Sequence, residues 1–226
     1  MDKLYEVKIV LAVSIDGRIS LPQGGKTNFG NVGDRRVLEE ALSASDAIIM
    51  GAQTLRDHQS TCLIHDKDLI ENRQISGKSP QPITIVVSNK INFSNEIIFF
   101  QQPIQRWLLC PETKTNLKDK ENNFSKILYL KNSWEETFKF NCIEKYGISK
   151  VLLLGGSKLI QSFLQEDFVD KLQLTITPKI VGGSKTWVTQ SIERLPIELR
   201  QKKSWELREI KPLDFNEIML CYDRSR

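Results

Sequence analysis

Hydrophobic positions along the chain fall into short blocks of two kinds, and the two kinds alternate. Val7 to Ser14 is a nearly unbroken run of apolar and β-branched residues, the pattern of a buried strand. From Asp34 to Ser45 the apolar positions are Val37, Leu38, Ala41 and Leu42, one face of a helix that Asp34 is suited to start. Ala47 to Met50, Ile83 to Val87, Trp107 to Cys110, Ile127 to Leu130 and Val151 to Leu154 read as further short strands. Trp134 to Tyr146 reads as a helix stopped by Gly147. Leu159, Ile160, Phe163 and Leu164 mark the apolar side of another helix. Alternation from Lys171 to Thr177 predicts a half-buried strand on Leu172, Leu174 and Ile176. Trp205 to Ile210 and Glu217 to Tyr222 predict a closing hairpin with a longer loop. The polar stretches Lys67 to Gln81 and Glu112 to Lys126 read as surface loops.

Strands alternating with helices predict an α/β sheet covered on both faces, and the late hairpin makes that sheet mixed. No stretch reads as a linker, so the 226 residues are expected to form one domain, 1–226. Composition narrows the classes. With 40% hydrophobic and 27% charged residues the chain is not intrinsically disordered. Lys plus Arg is 32 against 28 for Asp plus Glu, a net charge of +4, which gives no footprint for nucleic acid. No apolar run approaches the roughly 20 residues of a membrane span. The start, Met1 to Glu6, lacks a signal-peptide pattern. Cys62, Cys110, Cys142 and Cys221 match no zinc or C-x-x-C spacing and read as reduced thiols of a cytoplasmic protein. With two histidines, His58 and His65, no metal site is expected.

Several short motifs carry chemistry, each beside a plainer reading. Ser20 to Thr27 ends like a P-loop, but Ser20 stands where glycine is required and loop residues follow Lys26-Thr27. Gly155-Gly156-Ser157 lies between a strand and a helix. Paired glycines there let a phosphate approach the backbone at a helix N-terminus, with Ser157 as cap or donor, or they form only a tight turn. Gly51, Thr54 and Arg56 follow another short strand and read either as a second phosphate contact or as a capped surface helix. Ser14-Ile15-Asp16-Gly17-Arg18 suggests a hairpin turn, with Arg18 facing a cleft or solvent. His58 is either a proton donor or an exposed loop residue. Trp134 and Trp187 are ligand walls or, more simply, packing residues. There is no G-x-S-x-G element, no His-x-x-x-His pair and no G-x-G-x-x-G fingerprint.

The order of these motifs is informative. Ser14 to Ile19 is followed by Ser45 to Gly51 with Thr54, then Leu154-Gly155-Gly156, then Val169 to Leu172, then Pro178 to Gly183. This series resembles the RibD C-terminal family of riboflavin-biosynthesis reductases, within the dihydrofolate-reductase-like superfamily, over nearly the whole chain. The resemblance implies a three-layer α/β/α fold with a mixed, mostly parallel sheet, NADPH as hydride donor and a homodimer. It implies a small-molecule substrate, a pyrimidine ribosylamino phosphate such as 5-amino-6-(5-phosphoribosylamino)uracil, reduced at the sugar C1′. No deaminase zinc signature is present, so the chain reads as a stand-alone reductase domain. Carried across by position, Gly51, Thr54, Ser88, Gly155, Gly156 and Ser157 become cofactor contacts. On electrostatic grounds, and not by a matched motif, Asn89 and Lys90 beside Ser88 favour a 2′-phosphate. Ser14, Asp16, Arg18 and His58 fall on the substrate side. There the sequence departs from the family: Arg18 stands for a lysine, His58-Gln59-Ser60 for an acidic stretch, and Leu154 for a glutamate. Two alternatives follow, a nucleotide-binding paralogue without turnover and a reductase of a different pterin- or pyrimidine-like substrate.

Overall fold

The computed structural model describes residues 5–24, 29–90, 92–112, 123–188 and 195–226. In chain order these form β1 (Glu6–Ser14), α1 (Val32–Ala44), β2 (Ala47–Gly51), α2 (Ala52–His58), α3 (Lys67–Ile75), β3 (Ile83–Val87), β4 (Arg106–Pro111) and β5 (Lys126–Leu130). There follow α4 (Trp134–Phe138), a π-helical turn over Lys139–Ile143, α5 (Glu144–Tyr146), β6 (Lys150–Leu153), α6 (Ser157–Gln165), β7 (Lys171–Thr177), β8 (Trp205–Pro212) and β9 (Ile218–Arg224). The architecture is the mixed, mostly parallel α/β class that the pattern predicts, closed by an antiparallel hairpin. The chain divides into two compact units, one of Met1–Tyr5 with Glu39–Leu152 and one of Glu6–Leu38 with Leu153–Arg226.

In the first unit the strands lie in the order β5-β4-β3-β2-β6. The β2–β3, β3–β4 and β4–β5 pairs are parallel. Their residues are apolar without alternation because both faces are covered: Ile48, Ile49, Ile85, Val86 and Leu108 are almost fully buried. Trp134 is buried at the start of α4, edge-on to Phe138, and is a packing residue. Ser133 caps α4 by accepting from the Glu136 amide at 3.1 Å.

One element here was missed by the pattern. Lys67–Ile75, expected as loop, is the helix α3, capped by Asp66, whose carboxylate accepts from the amides of Asp68 and Leu69. Its apolar periodicity is weak because its main buried group is a charged one. The Arg73 guanidinium is buried and donates to the carbonyls of Leu42, Ser43 and Ser45 at the end of α1, and to Ser79. It satisfies carbonyls that a helix end leaves open. Most of the other expected loop, Glu112 to Lys126, lies outside the described residues.

In the second unit the order is β1-β7-β9-β8. β1 and β7 are parallel, while β7–β9 and β9–β8 are antiparallel. α6 buries the four predicted residues, Leu159, Ile160, Phe163 and Leu164. β7 departs from expectation. Gln173, Thr175 and Thr177 are buried, whereas Leu174 and Ile176 are only half-buried. The polar face is inward because α1 covers it: Gln173 Nε2 donates to the Val37 carbonyl at 3.2 Å. The Ser14–Arg18 segment is a turn, with the Gly17 amide on the Ser14 carbonyl at 2.8 Å and Gly17 at φ +81°. The expected hairpin does not follow, because Arg18 bridges Thr186 instead of running back along β1. Among the described residues no helix is long and apolar enough to cross a membrane.

Candidate functional site

In the first unit the parallel strands end side by side, which is where ligands meet sheets of this kind. Gly51, the last residue of β2, lies opposite Val87 of β3, and Ser88 follows directly. Gly51 caps α2 in an extended conformation (φ −77°, ψ 150°), and no side chain caps that helix. Thr54 lies in its first turn. The structure therefore brings Gly51 and Ser88 to neighbouring strand ends, with Thr54 on the helix that leaves one of them. Ser88 itself is buried and occupied. Its amide donates to the Leu109 carbonyl at 3.0 Å, and its hydroxyl donates to the Lys90 carbonyl at 2.6 Å. That turn leaves Asn89 and Lys90 exposed. Arg56 is committed elsewhere in this unit: it donates to the Asn92 side chain at 2.9 Å and lies 5.1 Å over the Phe93 ring. His58 ends α2 and is half-buried, not a loop residue, and Gln59 turns the chain at φ +57°.

In the second unit a glycine pair opens α6. Gly155 has φ +122° and Gly156 has φ +68° with ψ 120°, the latter a conformation that side chains disfavour. Gly156 is the helix cap, and its carbonyl takes the Leu159 and Ile160 amides at 2.9 and 3.0 Å. Ser157, a cap or a hydroxyl donor by sequence, is the first helical residue and does not cap the helix. No side chain caps α6, so its leading amides are presented for an anion. A Cβ on Gly155 would meet only Leu11, at 3.8 Å, so the requirement there is conformational rather than steric.

The same unit gathers Ser14, Asp16 and Arg18. The Asp16 carboxylate accepts from the Ser14 hydroxyl at 2.5 Å, from the Gly182 amide at 2.7 Å and from the Val181 amide. These donors, Ser14 first, with Arg18 beside them at 3.7 Å, hold its pKa down to about 2. Arg18 donates to the carbonyls of Asp16 and of Gly183. Asp16 is thus an ionised clamp between two loops and does not carry a proton near neutrality.

A further polar cluster in this unit has no counterpart in the sequence reading. Asp34, in the first turn of α1, is hydrogen-bonded to the Thr175 side chain, and burial followed by the Glu217 charge raises its pKa. Glu217 is buried and accepts from the Asn31 side chain at 2.7 Å and from its amide at 3.2 Å. Gly30 has no alternative, since a Cβ there would lie 1.8 Å from the Asp34 carboxylate. Nearby on β7 the Thr177 hydroxyl is buried with no protein partner among the described residues. The polar alternation of β7 with a lone acid at the start of α1 was the available signal. Alone, that pattern fits an exposed strand face and a helix cap, and only the packing of α1 on β7 turns it inward. Among the described residues no group of His, Cys, Asp and Glu is arranged to hold a metal ion.

Comparison with known proteins agrees with this arrangement. The family model of the RibD C-terminal domain matches residues 6–210. A 2,5-diamino-6-ribosylamino-4(3H)-pyrimidinone 5′-phosphate reductase of Archaeoglobus fulgidus is 23% identical over 188 residues, covering 78% of this chain and 82% of that protein. The riboflavin biosynthesis protein RibD of Buchnera aphidicola is 25% identical over 185 residues, 78% of this chain. The chain spans about half of that relative, 49% of its length. A pyrimidine reductase-like protein of Corynebacterium diphtheriae superposes with a TM-score of 0.78 at 19% identity, over 99% of this chain and 93% of that one. A dihydrofolate reductase of Enterococcus faecalis superposes with a TM-score of 0.54 at 14% identity, over 98% and 97% of the two chains, and carries the wider fold class. The glycine-opened helix, the strand-end turns and the family match along residues 6–210 together make this chain a member of the RibD C-terminal domain family.

Proposed function

We propose that the protein is an NADPH-dependent reductase of riboflavin biosynthesis, acting on a pyrimidine ribosylamino phosphate such as 5-amino-6-(5-phosphoribosylamino)uracil or its diamino counterpart. The observation that carries this reading is the family match over residues 6–210. Membership of this reductase family implies a nicotinamide cofactor, and two features of the chain suit one. In the second unit, the uncapped N-terminus of α6 behind Gly155 and Gly156 offers backbone donors and positive φ for a pyrophosphate, with Ser157 adjoining. In the first unit, Gly51 and Ser88 stand at neighbouring strand ends with Thr54 close by, and the exposed Lys90 favours a 2′-phosphate and hence NADPH over NADH.

When bound, the cofactor supplies a hydride. Reduction of a ribosylamino carbon adds that hydride at C1′, breaks the C1′–O4′ bond and delivers a proton to O4′. Asp34 is offered as the group that holds this proton, since burial and the Glu217 charge raise its pKa. Ser14, Arg18 and His58 are offered as substrate contacts. Asp16 supports the same region as the ionised clamp that fixes the loops around Ser14 and Arg18. We take the chain to act as one reductase domain, as a homodimer, in the cytoplasm, with no nucleic-acid partner.

Calorimetric titration with NADPH and with NADH tests the cofactor. Tighter binding of NADPH is expected. Binding of neither nucleotide would overturn the reductase reading and leave a fold without its chemistry. Loss of NADPH absorbance on adding the phosphoribosylamino pyrimidine tests the substrate. Cofactor binding without that turnover would favour a different pterin- or pyrimidine-like substrate.

A further inference from the structure

Arg56 stands on α2, two residues beyond Thr54, and the proposed chemistry gives it no part. It is half-buried, and every partner it has among the described residues is neutral. Its Nη2 donates to the Asn92 side-chain oxygen at 2.9 Å and to the Lys90 carbonyl at 3.3 Å. The guanidinium lies 5.1 Å over the Phe93 ring. The adjacent Asp57 does not pair with it and takes the Gln53 side chain at 2.8 Å. A tie to two neutral oxygens needs only N–H donors. Arginine adds a positive charge that no carboxylate among the described residues neutralises, and it leaves Nε and Nη1 without an acceptor there.

The tie is made at one place, the turn after β3. The Lys90 carbonyl takes two donors, Arg56 and the Ser88 hydroxyl at 2.6 Å, and the Lys90 amide donates back to that hydroxyl at 3.2 Å. Ser88 closes the turn from within, while Arg56 fastens it to the helix that leaves β2. Phe93 packs against the cluster of Leu55, Val86 and Phe99, so the ring next to the guanidinium is itself anchored. Arg56 is thus held by three partners, beside a turn whose outer residues, Asn89 and Lys90, are exposed. A lysine on such a turn is a flexible point charge. A fixed guanidinium offers its donors in a planar fork that matches phosphate oxygens.

We propose that Arg56 is the residue by which this chain selects a 2′-phosphorylated dinucleotide: held on the turn through Nη2, it offers its charge and its remaining donors to the phosphate beside Lys90. The inference rests on the 2′-phosphate part of the proposed function and needs nothing of the hydride chemistry or of the substrate. The two cations play different parts. Lys90, on a flexible stem, supplies attraction. Arg56 has its place set before the cofactor arrives, so it supplies orientation with little further loss of side-chain freedom. A dinucleotide with a bare 2′-hydroxyl forgoes both.

Calorimetric titration of the full chain with NADPH, NADH, 2′,5′-ADP and 5′-AMP provides the test. Arg56→Met keeps an unbranched stem beside the Phe93 ring and removes the charge and the donors. It is expected to weaken NADPH and 2′,5′-ADP about tenfold or more, and to leave NADH and 5′-AMP within about twofold. Arg56→Lys restores the charge without the fork and is expected to recover only part of the loss. Full recovery would leave charge alone as the cause and overturn the part given to the anchored fork. Should Arg56→Met fail to fold by circular dichroism, Asn92→Ala decides. Asn92 is exposed and uncharged, so a fall in the NADPH-to-NADH ratio there reports the anchoring of Arg56. Equal weakening of both nucleotides, or an unchanged ratio, would make Arg56 a tie within the fold and nothing more. A parent chain that binds NADPH and NADH equally would overturn the 2′-phosphate reading and this inference with it. A parent that prefers NADPH, with variants that keep the preference, would overturn the inference alone.

Discussion

Asp16 and Asp34 are both aspartates of the second unit, and their surroundings drive them in opposite directions. Asp16 gathers a hydroxyl and two backbone amides and stays ionised, with a pKa of about 2. Asp34 is half-buried beside Glu217, with Thr175 as its hydrogen-bonding partner, and its pKa rises. The sign for Asp34 fixes a prediction. A carboxyl whose folded pKa exceeds its unfolded value contributes stability that is fully present below the ordinary aspartate value and is lost as pH rises through the folded one. Asp34→Asn keeps the neutral shape. It is expected to raise the melting temperature relative to the parent more at neutral pH than near the unperturbed value of 3.8, and to lower turnover. Thermal melts at the two pH values check this. An equal change at both would remove the argument that the fold raises the Asp34 pKa. Both aspartates stand in the sequence with equal plainness. Their opposite pKa shifts belong to residues far along the chain: Val181 and Gly182 for one, Thr175 and Glu217 for the other.

The junctions between elements carry the cofactor argument, and the β6–α6 junction is the sharper of the two. Gly156 caps α6 at φ +68° and ψ 120° with no side chain taking the helix amides. Gly156→Ala is expected to cost about 1–3 kcal/mol of stability from backbone strain. It is also expected to weaken NADPH binding by about tenfold or more, by adding a methyl where a phosphate approaches the backbone. Urea unfolding and calorimetry on the same preparation read the two effects. A loss of stability with unchanged NADPH affinity would make the junction a turn and nothing more. Elements of this kind were legible in advance: β3 runs over the predicted Ile83–Val87, and α6 buries all four predicted apolar residues. α3 was not legible, because its anchor is the buried Arg73 rather than an apolar stripe. The polar burial of β7 was not legible either, because the partner of Gln173 is a carbonyl of α1.

At the scale of the molecule, a ligand that binds only the folded state raises stability by mass action. NADPH at about a hundred times its dissociation constant is expected to add about 2.7 kcal/mol, and equal NADH less. Differential scanning calorimetry across a concentration series reads this without a substrate. A melting temperature independent of NADPH would count against the cofactor assignment even if a weak heat were seen in titration.

The sequence by itself determined the apolar strands and the helices that carry an apolar stripe, because burial on both faces writes unbroken apolar runs and burial on one side writes a helical stripe. It also pointed to the family, through the order of the glycine turns, the strand-end motifs and the Asp-Gly turn, and the family model matches residues 6–210. Tertiary structure decided the rest. It turned the polar side of β7 inward, set Asp34 beside Glu217 and made Asp16 a clamp across two loops. The physical reason is common to all three. Local patterns record which apolar segments seek burial, but the pKa of a carboxyl and the face a strand residue takes depend on partners that only the folded chain brings near.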